Sequence, residues 1–182
     1  ITLWSQCGGQ VSLSPMGAQS ICPGDTLLLQ AAPATGFAFA WYRDGQLVVG
    51  ANTGTLGANL AGDYFVVGTD GTGCRDASAI TSLSVYNAPN AQLTSNGGPV
   101  GCAGDSLLLF ATGGVTYEWF YFGQPQTTTD PFLFADTPGN YSVATIDSNG
   151  CRDTSTILSY SWFPPLNINL SGPNPAEVCP GE

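Results

Sequence analysis

Chemistry in this chain has few candidate carriers. The sequence has six cysteines (Cys7, Cys22, Cys74, Cys102, Cys151 and Cys179), no histidine and no lysine. Without His or Lys, the commonest general bases and amine nucleophiles are missing, and Ser–His–Asp or Cys–His constellations cannot be built from these residues. The cysteines form no C-x-x-C pair and have no histidine to complete a zinc site. Their expected chemistry is disulfide formation, which implies an oxidising, extracellular or cell-surface compartment. Paired carboxylates could hydrolyse glycosides. The acidic residues, however, lie mostly in turn sequences such as "RDG", "TDG" and "IDSNG", where Asp caps backbone amides. No enzymatic activity is expected. No cofactor is expected either, although "GTDGTG" at 68–73 offers oxygens of the kind that hold a structural Ca²⁺, without a dense D-x-D-x-D cluster.

The formal net charge is −10, from 13 acidic residues against Arg43, Arg75 and Arg152. A phosphate-binding face is unattainable with that balance, so nucleic acid is excluded as a partner. No apolar run approaches the ~18–20 residues of a membrane-spanning helix, and no membrane insertion is expected.

The cysteines fall on a repeat. "ICPGDTLLLQA" at 21–31 matches "GCAGDSLLLFA" at 101–111, and "VCPGE" returns at 178–182. "AWYRDGQ" at 40–46 matches "EWFYFGQ" at 118–124, and "GTGCRDASAI" at 71–80 matches "SNGCRDTSTI" at 148–157. Order and spacing are kept, which predicts tandem domains of roughly 77–80 residues. The expected division is the last strand of a preceding repeat (1–8), a full repeat (9–88), a second (89–165) and the start of a third (166–182). Such a chain reads as a window on a longer array. The joints "YNAPNAQ" and "WFPPLNI" are short and carry proline, and Trp4, Trp162 and Phe163 near them are expected to cement domain contacts.

Each repeat offers about seven short apolar runs punctuated by Gly, Asn, Asp and Pro, with no sustained helical periodicity. The fold class is all-β: tandem antiparallel sandwiches, each predicted to be ~35–45 Å long and set end to end. In the first repeat the strands are expected near 10–14, 26–32, 37–43, 46–49, 55–60, 63–69 and 75–86. Alternation puts Leu27, Leu29, Ala31, Trp41, Tyr64 and Val66 inside. In the second it puts Leu107, Leu109, Trp119, Tyr141 and Val143 inside, and turns Phe120 and Phe122 to the other face, where packing under a neighbouring strand or domain is the first expectation and a sugar-binding platform the second. "RDG" at 43–45 is a hairpin turn.

"CPGDTLLL", "YEWFYFG" and "PGNYSVATIDSNGC" resemble the Ig-like and PKD-like repeats of giant cell-surface adhesins of Bacteroidota-type bacteria. The resemblance covers essentially the whole chain. It implies a stalk or filament exported by type IX secretion, serving attachment or gliding. Neighbouring repeats of the same chain are then the first partners, with surface polysaccharide or other cell-surface proteins as outside ones. A polysaccharide-binding module, or an accessory repeat of a secreted enzyme, is the alternative. "DTL" at 25–27 and "DSL" at 105–107 resemble an O-glycosylation signal of such proteins, which makes Thr26 and Ser106 candidate acceptors. Asn140 and Asn169 fit the N-x-Ser/Thr pattern.

An Ig-like fold with the usual core disulfide carries cysteines on strands B and F, where this chain has Leu and Val. Its cysteines sit at the start of strand B (Cys22, Cys102) and in the F–G turn (Cys74, Cys151), at opposite ends of a domain. Disulfide Cα atoms must approach within ~4.4–6.8 Å. Pairing is therefore expected across junctions: Cys22 with Cys151, Cys74 with Cys7, and Cys102 and Cys179 with turns of further repeats. A rearranged strand order would instead pair them within each repeat. Arg152 is expected to meet Asp25 beside the bridge.

Overall fold

The computed structural model describes residues 11–164. The segments 1–8 and 166–182, and with them Trp4, Cys7, Asn169 and Cys179, lie outside the described residues.

The described residues contain eighteen strands and no helix. In the first repeat they are β1 (Ser12–Ser14), β2 (Gly17–Ile21), β3 (Leu27–Ala32), β4 (Phe37–Arg43), β5 (Gln46–Leu47), β6 (Thr55–Ala58), β7 (Gly62–Asp70), β8 (Arg75–Ala77) and β9 (Thr81–Val85). The second repeats them as β10 (Gln92–Ser95), β11 (Val100–Gly101), β12 (Leu107–Thr112), β13 (Thr116–Tyr121), β14 (Gln124–Pro125), β15 (Phe132–Ala135), β16 (Gly139–Ile146), β17 (Arg152–Thr154) and β18 (Leu158–Trp162). One sheet of each sandwich has the order β1-β3-β6 or β10-β12-β15. The other has β2-β9-β7-β4-β5 or β11-β18-β16-β13-β14, with β8 and β17 added to β7 and β16. In Ig terms these are the A-B-E and A′-G-F-C-C′ sheets.

Each sandwich has its own core. The first gathers Leu13, Leu29, Trp41, Tyr64, Val66 and Leu83, and the second Leu107, Leu109, Trp119, Tyr141, Val143 and Tyr160. Trp41, Trp119, Leu29, Leu109, Val66 and Val143 are fully buried, whereas Leu27 only packs at the core's edge. Leu29 and Val66 stand where a B–F disulfide would otherwise sit. The two tryptophans donate their ring N–H to the carbonyls of Thr53 and Asp130, at 2.8 and 2.9 Å. Tyr64 and Tyr141 form the tyrosine corner, donating to Leu60 O and Thr137 O at 2.7 Å. Burial, with Tyr121 nearby, holds the Tyr141 phenol above its ordinary value, so it stays a neutral donor.

Three expectations about strands need correction. The A′ strand, β2, was absent from the predicted set: "GAQSI" shows no clear alternation, and it exists because it pairs in parallel with β9. Cys22 therefore follows β2 instead of opening strand B, and β3 begins only at Leu27. The predicted strand 75–86 is broken into β8 and β9. At the break Ser78 Oγ accepts from Val66 N and donates to Ala79 O, and Ser155 repeats the device on Val143 N and Thr156 O.

The parity of β3 makes a direct test. Leu29 is fully buried and Leu28 is 54% exposed. Leu29→Ala is expected to cost ~2–5 kcal/mol in urea unfolding, and Leu28→Ala within about 0.5 kcal/mol. Equal losses would contradict the register.

Candidate functional site: the junction between the repeats

The two halves of the junction are turns that hold a cysteine rigidly. In the second repeat the F–G turn runs from Asp147 to Cys151. Asp147 Oδ1 accepts from the amides of Asn149 and Cys151, at 2.8 and 2.9 Å. The backbone closes with Asp147 N donating to Cys151 O and Gly150 N to Asp147 O. Gly150 takes φ +83°, a conformation that favours glycine. The first repeat copies this turn. Asp70 Oδ1 accepts from the Thr72 hydroxyl, the Thr72 amide and the Cys74 amide. The Thr72 hydroxyl first, then the amides, hold the Asp70 carboxyl below its ordinary value. "GTDGTG" thus spends that oxygen on its own donors.

The other half is "CPGD". Asp25 N donates to Cys22 O at 3.1 Å across Pro23 and Gly24, whose φ of +90° suits the third position of a type II turn. Residues 102–105 form the same turn, and Asp105 also accepts from Cys102 N through its side chain.

These turns meet. Cys22 is bonded to Cys151 with Cα atoms 5.3 Å apart, across a sequence separation of 129. The staple joins one sandwich to the next, as the geometric expectation required. Cys74 is disulfide-bonded as well; its expected partner, Cys7, lies outside the described residues. Cys102, the counterpart of Cys22, is an exposed free thiol.

Sequence reading missed the residue that seats the linker. Asp153, two positions after Cys151, accepts from the amide of Ala91 at 2.9 Å. Asp76, two after Cys74, does the same for Val11. The aspartate of "CRD" therefore fastens the chain where it enters a sandwich. The copied "CRD" is the signal that could have found it. At the other end of the linker, Tyr86 N donates to Ile21 O, next to Cys22. Residues 86–91 are thus pinned at both ends beside the two sulfur atoms. Gly113, at φ +101°, lets the linker lie close, since a Cβ there would run into the carbonyl of Asn90.

The charge expectation fails. Arg152 pairs with Glu118 at 2.7 Å, not with Asp25, and lies 5.6 Å from the Phe120 ring centre. Glu118 is two strands away across β16, on the same outer face, and a long guanidinium stem reaches it. Both side chains are about half exposed, so the pair is worth ~0–1 kcal/mol. It also leaves Phe120 partly covered. Phe122 lies beyond β13 at φ +47°, edge-on to Tyr121, so alternation no longer governs it. The "RDG" segment is the β4–β5 hairpin turn, with Asp44 and Gly45 at positive φ. Thr26, Ser106 and Asn140 are exposed, and Asn140 Oδ1 accepts from Ser159.

No protein-family model matches the chain, and no curated protein matches it. Among solved structures it is similar to murine CEACAM1b, at 16% identity over 85% of this chain and 100% of that one, with a TM-score of 0.38. It is also similar to the fibronectin(III)-like modules of Clostridium thermocellum CbhA (15%; 84% and 94%; TM-score 0.41). A third is the set of three N-terminal domains of the bacteriophage RB49 outer capsid protein Hoc (18%; 85% and 59%; TM-score 0.42). Similarities this distant say nothing of function, and the Ig-like assignment rests on the strand pairing above.

Two outcomes follow for the junction. Asp153→Ala removes the acceptor for Ala91 N–H, so hydrogen exchange at Ala91 is expected to speed up at least tenfold while the disulfide stays intact. Unchanged protection would dismiss the clamp. For Asp70 the folded carboxyl lies below its ordinary value near 3.8. Its contribution is therefore complete above the unfolded carboxyl range and is lost as pH falls through the folded value. The Thr72 and Cys74 amide resonances are expected to titrate together below pH 3.8, and a midpoint above it would contradict the turn geometry.

Proposed function

We propose that the chain is a non-enzymatic, load-bearing stalk segment of a secreted cell-surface filament or adhesin, holding distal binding parts away from the cell. One observation carries this: the Cys22–Cys151 bridge spans two sandwiches instead of closing within one. A domain stabilised for its own sake gains from an internal bridge; a bridge across a joint instead fixes neighbours to each other and passes tension between them. The disulfide also fits an oxidising, extracellular setting. The resemblance to Bacteroidota-type repeats extends the proposal to type IX export and to attachment or gliding. It also suggests glycans on the exposed Thr26 and Ser106.

A second reading has its own support. The outer face of β10-β12-β15 carries two uncharged rows, Thr94–Phe110–Phe132 and Asn96–Leu108–Phe134. Phe132 and Phe134 are 43% and 61% exposed. The first repeat has Gln30, Thr55 and Gly57 at the equivalent places. Aromatic rings flanked by hydroxyl and amide groups suit a neutral polysaccharide. A glycan array on the 182-residue chain separates the two. The stalk proposal expects no binding, and binding abolished by Phe132→Ser with Phe134→Ser would replace it with the polysaccharide reading.

A further inference from the structure

Strand direction gives the junction a second property. β2 runs parallel to β9, with Gly17 opposite Thr81 and Ile21 opposite Val85. β11 runs parallel to β18, with Val100 opposite Ser161. The A′ and G strands of each sandwich thus lie side by side, both running from the end where the chain comes in to the end where it leaves. Cys22 immediately follows β2, at the leaving end of the first sandwich. Cys151 immediately precedes β17, at the incoming end of the second.

We infer that tension along the chain travels on a covalent spine made only of these terminal strands. It runs through residues 11–22, crosses the Cys22–Cys151 bond, and continues through residues 151–163. Strands B to F of each repeat hang beside this path and carry none of the axial load. A second spine runs in the same direction: from Cys74, itself disulfide-bonded, through β8, β9, the linker, β10 and β11 to Cys102, whose thiol is free, so that it takes load through its hydrogen bonds to the first. The two spines are neighbours in both sandwiches. β2 and β18 belong to the first, β9 and β11 to the second, and each parallel pair joins one strand of each. Strands loaded in the same direction share force instead of sliding past one another. Being already β-extended, they also hold little slack. The biological purpose of this cable rests on the stalk proposal; its geometry does not.

Pulling single molecules of the 182-residue chain by handles on its two ends tests it. With the bridge intact, the 129-residue separation is held at 5.3 Å between Cα atoms and cannot lengthen. A dithiol passes two electrons and two protons to the bridge, leaving two cysteine thiols and a cyclic disulfide of the reagent. Reduction is then expected to add roughly 43–46 nm of contour length, at ~3.3–3.6 Å per residue. Cys22→Ser with Cys151→Ser should be longer than the untreated native chain without reductant, held short of the full gain by the loop that the Cys74 disulfide still closes, and should match the reduced native chain once reductant is added. Should this variant fail to fold, the untreated and reduced native chain still decide. Equal contour lengths before and after reduction would overturn the spine. Glycan binding would end the stalk proposal without altering this contour result.

Discussion

Two sulfur atoms on separate domains can bond only if both are delivered to one place, and the junction is built around that requirement. A Cα separation of 5.3 Å leaves no room for turns that wander. Each cysteine is accordingly held by hydrogen bonds within its own turn. Asp147 gathers the amides of its own turn around Cys151, and the Cys22–Asp25 hydrogen bond closes the other side. The linker is then seated by Ile21 and Asp153. None of these contacts is strong alone, a hydrogen bond contributing ~0.5–1.5 kcal/mol net. Their value is that they act on the same few residues.

The cores explain why the bridge is free to serve the joint. A domain of this size is marginal, and many relatives in architecture add a disulfide between the sheets. Here Leu29 and Val66 fill that space in one repeat, Leu109 and Val143 in the other, all fully buried. Tryptophan ring N–H donors and the tyrosine corner then tie loops to strands. With the interior closed by packing, the cysteines can sit at the domain ends.

Much of this was legible in the sequence, for physical reasons. Alternation marks a half-buried strand, so Leu29, Trp41, Tyr64, Val66 and their copies declared themselves. The repeat exposed the cysteine turns, and the length of a strand argued against bonding within a domain for the Ig-like strand order. What stayed hidden depended on partners. "GAQSI" is a strand only because β9 lies beside it. Asp153 looks like any turn aspartate until Ala91 arrives 62 residues away. Arg152 was placed with its neighbour across the joint, but the flat outer face of β16 offered Glu118 within reach. Sequence periodicity reports which side of a strand is buried; it is silent about which distant group fills a polar valence.

The closed loop between Cys22 and Cys151 also changes what a protease can do to this chain. A cut in an ordinary string of domains severs it, and the exposed linker residues Asn87, Ala88 and Asn90 are the natural place to strike. In this molecule a single hydrolysed peptide bond anywhere from 23 to 150 leaves both fragments joined through sulfur. Separation needs two chemically different events, hydrolysis and reduction. A chain assembled this way tolerates nicks without coming apart.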